Sequence, residues 1–183
     1  MSDKINWKKF PVFITIFCIE LILFSQQADY KKIFGSDWEK AEAFVSENET
    51  WMKQLSEKYS VSFPVAVAVV FPELVRYSAL RDKIEITLLK ALYINLGEDY
   101  ANFSIGQFQM KPSFAESIHQ NVLLLKGRLR NQFREKIRNN DIRKYRASIV
   151  KDLEQPESQF IYLIAFLKIC GTIYNLEEMN EDY

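Results

Sequence analysis

Spaced by its apolar positions, the chain divides into helical segments joined by short turns. Residues 36–59 set Trp38, Ala41, Phe44, Val45, Met52 and Leu55 on one side and an acidic face on the other. Ser36, with Glu39 three residues on, has the capping-box spacing at their start. Residues 80–96 predict a second helix with Leu80, Ile84, Leu88, Ala91 and Leu92 inward, and Gly97 is placed to end it. Residues 98–112 read as loop, and Ser113 with Glu116 again has capping-box register for a helix that runs towards Leu125 and breaks at Gly127. Residues 128–150 predict a basic helix with Leu129, Phe133 and Ile137 at i, i+4, i+8. Pro156 opens a last helix that is apolar nearly all round from 160 to 169, which belongs at the centre of a core.

Two stretches are less decided by period. In residues 62–71 the valines favour a buried strand, whereas Pro64 behind Ser62 favours the first turn of a buried helix. Pro72 disfavours helical geometry at Phe71 and predicts a distortion just before Glu73. Residues 1–25 begin with Lys4, Lys8 and Lys9, continue with fifteen mostly apolar residues from 10 to 24, and leave through Ser25 and two glutamines. That pattern is an export signal; the run is shorter than the ~20 residues of a spanning helix, and Glu20 would be costly inside a bilayer. An uncleaved anchor and a helix of the core are the other readings.

Composition narrows the class. With 183 residues, 48% hydrophobic, the chain is long enough for one domain with its own core. Five glycines and five prolines are few for the many tight turns of an all-β protein, so the expected class is all-α. Basic and acidic residues balance at 24 each, yet residues 126–151 hold ten basic residues against Glu135 and Asp141, and the acids Glu177, Glu178, Glu181 and Asp182 gather at the tail. The basic stretch reads as a solvated helix face or as a contact for an acidic partner; an exported protein gives no reason to expect nucleic acid. Two cysteines, Cys18 and Cys170, and one histidine, His119, build neither a disulfide framework nor a metal site. A lone histidine on a helix reads as a surface or internally satisfied residue, and Tyr93, Tyr100 and Phe103 as core aromatics that could also stack on a sugar ring.

Chemistry concentrates between 73 and 115. Glu73 ends an apolar run, and an acid that must carry its proton near neutral pH is helped by apolar surroundings. Gly106, Gln109, Pro112 and Ala115 have the spacing G-x-x-Q-x-x-P-x-x-A. Glycine lets a backbone approach a ligand closely, and glutamine offers both a donor and an acceptor to sugar hydroxyls, with the Ser104 hydroxyl nearby.

Together these segments resemble the catalytic core of the lysozyme-like superfamily, in particular lytic transglycosylases and goose-type lysozymes. The resemblance implies a single helical domain over 26–183 after the signal segment, with residues 62–71 a helix and Glu73 the general acid/base. It also implies that Ser104, Gly106 and Gln109 line a sugar cleft. Tyr174-Asn175 is similar to the family's A-Y-N-A-G segment, whose tyrosine lies beside the acid. Departures are Leu74 for the family's serine, Gln107-Phe108 for leucine-methionine, Phe114 for threonine, and a helix inserted between Glu73 and Gln109. A second carboxylate would come from Glu98 or Asp99, since Glu85 falls on the exposed side of its helix in this reading. With one glutamate the chemistry leans to a transglycosylase, although a lysozyme remains open. The implied substrate is the glycan strand of peptidoglycan in the periplasm, cell envelope or outside the cell, with envelope proteins as further partners and no cofactor or metal. The alternative is a catalytically inactive module of the same fold that binds cell-wall glycan.

Overall fold

The computed structural model describes residues 29–137 and 141–174. The expected signal segment 1–25, Asn175 and the acidic tail lie outside those residues. Helix α1 (Tyr30–Phe34) belongs to a small unit that ends at Gly35; it is capped by the Asp29 side chain, which accepts from Lys32 N at 3.0 Å. Everything from Ser36 on forms a second unit. In chain order this holds α2 (Ser36–Lys58), α3 (Phe63–Arg76), α4 (Ala79–Leu96), α5 (Pro112–Gln120), α6 (Gly127–Ile137), α7 (Ile142–Leu153) and α8 (Pro156–Ile173). No strand occurs among the described residues, where an isolated bridge pairs Ile105 with Met110. The fold is all-α.

Helix α8 is the axis of the core. Phe160, Tyr162, Leu163, Ile164, Ala165 and Leu167 are all buried, as a helix apolar on every side requires. Residues 62–71 are helical: Pro64 sits in the first turn of α3, where a missing N–H costs nothing. The distortion expected at Pro72 is not found, since α3 runs through Phe71 and Pro72 to Arg76. Glu73 therefore lies inside the last turn of the helix. The chain then turns sharply, and α3 and α4 meet at 93°.

Three sequence expectations are corrected. Helix α4 is rotated: Leu80, Ile84, Leu88 and Ala91 face outward, while Asp82, Glu85, Leu89 and Tyr93 are buried. Ser113 does not cap α5; Pro112 occupies the first turn, Ser113 exchanges hydrogen bonds with the Asn102 side chain, and Glu116 accepts from the Tyr93 hydroxyl at 2.8 Å. The basic stretch is two helices, with Asp141 capping the second by accepting from Arg143 N and Lys144 N. Several of its cations serve the fold: Lys136 pairs with Asp152, and Arg130 donates to the carbonyls of Leu123 and Leu125.

His119 on α5 is buried and fully engaged. Its Nδ1 lies 2.8 Å from the Tyr145 hydroxyl and its Nε2 3.0 Å from that of Tyr162, which donates to Asp152. Because Tyr162 spends its proton on Asp152, Nε2 carries the ring hydrogen and Nδ1 accepts from Tyr145. The relay is complete with a neutral imidazole. Burial, with the Lys136 charge nearby, lowers the His119 pKa to about 4. An unfolded histidine protonates near 6.5, so between about 6.5 and 4 the unfolded chain binds more protons and stability falls as the pH drops. This residue contributes a loss on the order of 3 kcal/mol across that window. Thermal denaturation of the wild type against His119→Gln should show the steeper fall in the wild type; equal slopes would remove His119 as the cause.

Candidate functional site

The Gly106 segment folds as a closed hairpin loop. Ile105 and Met110 exchange two backbone hydrogen bonds of 3.0 Å, and Gln109 N donates to Gly106 O across the tip. Gly106 has φ +73° and Gln109 φ +48°, so both ends of the loop sit in the left-handed region. Glycine takes that conformation freely; Gln109 is held there by its own side chain, whose Nε2 donates to the same Gly106 carbonyl at 2.9 Å. One donor of the glutamine is thus committed to the turn, and its Oε1 makes no hydrogen bond among the described residues. Ser104, half-buried just before the turn, makes no hydrogen bond among the described residues.

The loop is held from two sides by buried polar side chains. Gln159 of α8, fully buried, accepts from Phe108 N at 3.0 Å and donates to Ile105 O at 2.6 Å. From the other side Asp82 of α4 accepts from Gly106 N at 2.6 Å. A Cβ on Gly106 would collide with the Gln159 amide and the Leu153 carbonyl, so glycine is required by space as well as by φ. Phe108 plugs the loop into the core between Phe44 of α2 and Phe160 of α8, at ring distances of 5.8 and 5.9 Å.

Glu73 stands four residues before a side chain of this assembly, and no hydrogen bond among the described residues joins the two. Tyr77, which follows α3, donates its hydroxyl to Asp82 Oδ2 at 3.5 Å, while Oδ1 of the same carboxylate holds Gly106. The Glu73 carboxylate is 38% exposed and lies 3.0 Å from the Arg76 guanidinium. An ion pair that open to water contributes at most about 1 kcal/mol. The apolar enclosure expected for Glu73 is not present.

Carboxylates do gather behind the turn, but not the expected ones. Burial raises the Asp82 pKa; the Gly106 and Tyr77 hydrogen bonds oppose that, and the charges of Glu85 and Glu154 add to it. Glu85, read from sequence as exposed, is buried, with Oε1 on Arg81 at 2.8 Å and Oε2 buried without a hydrogen-bond partner. Glu154 is paired with Lys90. Glu98 and Asp99 are exposed beyond Gly97, past the end of α4, whose Leu96 is already fourteen residues and a rise of about 21 Å from Asp82. They do not join the turn.

Tyr174 does not join it either. It is 71% exposed at the end of α8, fifteen residues from Gln159, about 22 Å of helix. Near that end Lys168 binds the Ser60 carbonyl, which precedes α3, whereas Glu73 lies in the last turn of α3. Of the sequence candidates, the structure joins Gly106 and Gln109 in one turn, with Ser104 adjoining them, while Glu73 has its ion pair with Arg76. The residues that hold the turn, Asp82 and Gln159, with Tyr77 on Asp82, were not read from sequence. Gln159 had a signal in being a polar side chain within an apolar helix; Asp82 resembled any acid on a helix surface. Tyr93 is buried under Arg146, 5.8 Å from the ring, and Tyr100 is exposed.

Comparison with protein-family models, curated proteins and solved structures finds no match.

Three substitutions test the clamp. Asp82→Ala leaves the buried Gly106 N–H without an acceptor and should cost roughly 1–3 kcal/mol in urea denaturation, while Asp82→Asn keeps the acceptor, removes the carboxylate repulsion and should stay near wild type. Gly106→Ala should cost roughly 2–4 kcal/mol through collision and backbone strain together. A wild-type denaturation midpoint in both alanine variants would show that the loop is not held as described.

Proposed function

We propose that the protein is an exported glycosidase that cleaves the MurNAc–GlcNAc strand of peptidoglycan, with Glu73 as its single general acid/base. The observation that carries this reading is that Tyr77, four residues after Glu73, donates to Asp82, and that the same carboxylate holds Gly106 in a glycine-glutamine hairpin followed by a proline-started helix. Export is read from residues 1–25.

In this reading a sugar lies against the hairpin. The Gln109 Oε1 and the Ser104 hydroxyl meet its hydroxyl and acetamido groups. Glu73 gives its proton to the glycosidic oxygen as the C1–O bond breaks. It then takes the proton of the muramyl 6-hydroxyl as that oxygen bonds to C1, leaving a 1,6-anhydro end. This transglycosylase course is favoured over hydrolysis by a second carboxylate because the acids behind the turn are already engaged: Asp82 by Gly106 and Tyr77, Glu85 by Arg81, Glu154 by Lys90. No step calls for a metal or cofactor.

A second reading, a glycan-binding module without catalysis, is favoured by one feature: the Glu73 carboxylate is open to water and paired with Arg76. Peptidoglycan in a gel separates the two. The full chain should clear it, and Glu73→Gln should slow clearing by about 10²–10⁴-fold, the contribution of a positioned acid/base, while melting like the wild type. Released fragments should carry anhydro ends by mass. Wild-type protein that binds the polymer and releases nothing would establish the module instead.

A further inference from the structure

Helix α4 is built inside out. Its acids Asp82 and Glu85 are buried, whereas Leu80 is 74% exposed, Ile84 55% and Leu88 38%. Spacing of four residues keeps these three side chains in one row, which Ala91 continues. Exposed cations flank the row. Arg81 and Lys90 each keep one carboxylate contact at the protein side, to Glu85 and Glu154, and Lys83 makes no ion pair among the described residues. The outer surface of α4 thus combines an apolar ridge with basic residues, and its acids are withdrawn.

Size and charge select the occupant. From 80 to 91 the ridge is about 16 Å long, too short for a bilayer core of about 30 Å. It exposes roughly 300 Å² of apolar surface, against about 800 Å² per partner in a stable protein interface. A short apolar ridge with cationic flanks is what a helix lying in a membrane interface presents to anionic headgroups. We propose that the outer face of α4 docks on an anionic lipid surface, with Leu80, Ile84 and Leu88 entering the headgroup boundary and Arg81, Lys83 and Lys90 among the lipid phosphates. The docking is independent of glycan cleavage.

The test uses the full chain with Cys18→Ser and Cys170→Ser and an environment-sensitive fluorophore on Ile84→Cys; the same label on Glu57→Cys, exposed on α2, is the control. With phosphatidylglycerol–phosphatidylcholine vesicles the label at 84 should shift to the blue and that at 57 should not. Salt should weaken the effect, and pure phosphatidylcholine should give little. Adding Leu80→Glu and Leu88→Glu should lower vesicle binding at least about tenfold, with helical content unchanged. Binding without a shift at 84, untouched by the double substitution, would assign it to the N-terminal apolar run and overturn the proposal. A shift that needs no vesicles and grows with protein concentration would overturn it in favour of a second copy. An equal, salt-insensitive shift with phosphatidylcholine would overturn the role of the basic residues.

Discussion

The clamp on Gly106 sets much of what surrounds it. One short loop is gripped by a carboxylate from α4 and an amide from α8, two helices far apart in sequence. Each grip satisfies backbone groups that burial would otherwise leave unpaired, so neither side chain can be lost without exposing an orphan. The requirement reaches outward. To bring Asp82 to Gly106, α4 must turn its 82–85–89 side inward, and Leu80, Ile84 and Leu88 then have no place in the core. A polar contact overrides an apolar stripe.

The same economy governs the other buried polar groups. His119 is tolerated in the core because two tyrosines complete both ring nitrogens and pass the last proton to an aspartate that Lys136 neutralises. Burial pushes the Tyr145 hydroxyl up to about 12 and raises that of Tyr162, so both remain proton donors throughout the ordinary range. Such networks are specific in a way that apolar packing is not. Every member has one role, and a change in one proton count breaks the sequence of donors and acceptors.

Where the fold was legible in the chain, simple physics sufficed. Pro64, Pro112 and Pro156 each stand in a first helical turn, Gly97 ends α4 with a positive φ, and the all-round apolar residues of α8 run through the core. Glu73 and the Gly106–Gln109 turn were legible as residue types at a spacing. The rotation of α4 was not, because periodicity weighs Leu80 and Ile84 as core formers and gives Asp82 no credit for a bond formed 24 residues away. Gln159 has the same character: its partners at 105 and 108 are more than fifty residues distant. The expected capping of α5 by Ser113 failed because Asn102 competes for it. Glu98, Asp99 and Tyr174 were drawn to the site by proximity in sequence or by likeness, and the lengths of α4 and α8 carry them away from it.

The reach of Gln159 has a consequence in time. A chain made from its N-terminus produces Glu73 and Gly106 well before residue 159 exists. Until then the Phe108 amide lacks its buried partner, and the turn is held by Asp82 and its own hydrogen bonds alone. The second grip waits on α8, the slow kind of contact that joins distant parts of a chain. A partly synthesised molecule therefore carries its turn gripped from one side only, and the grip is complete when α8 docks.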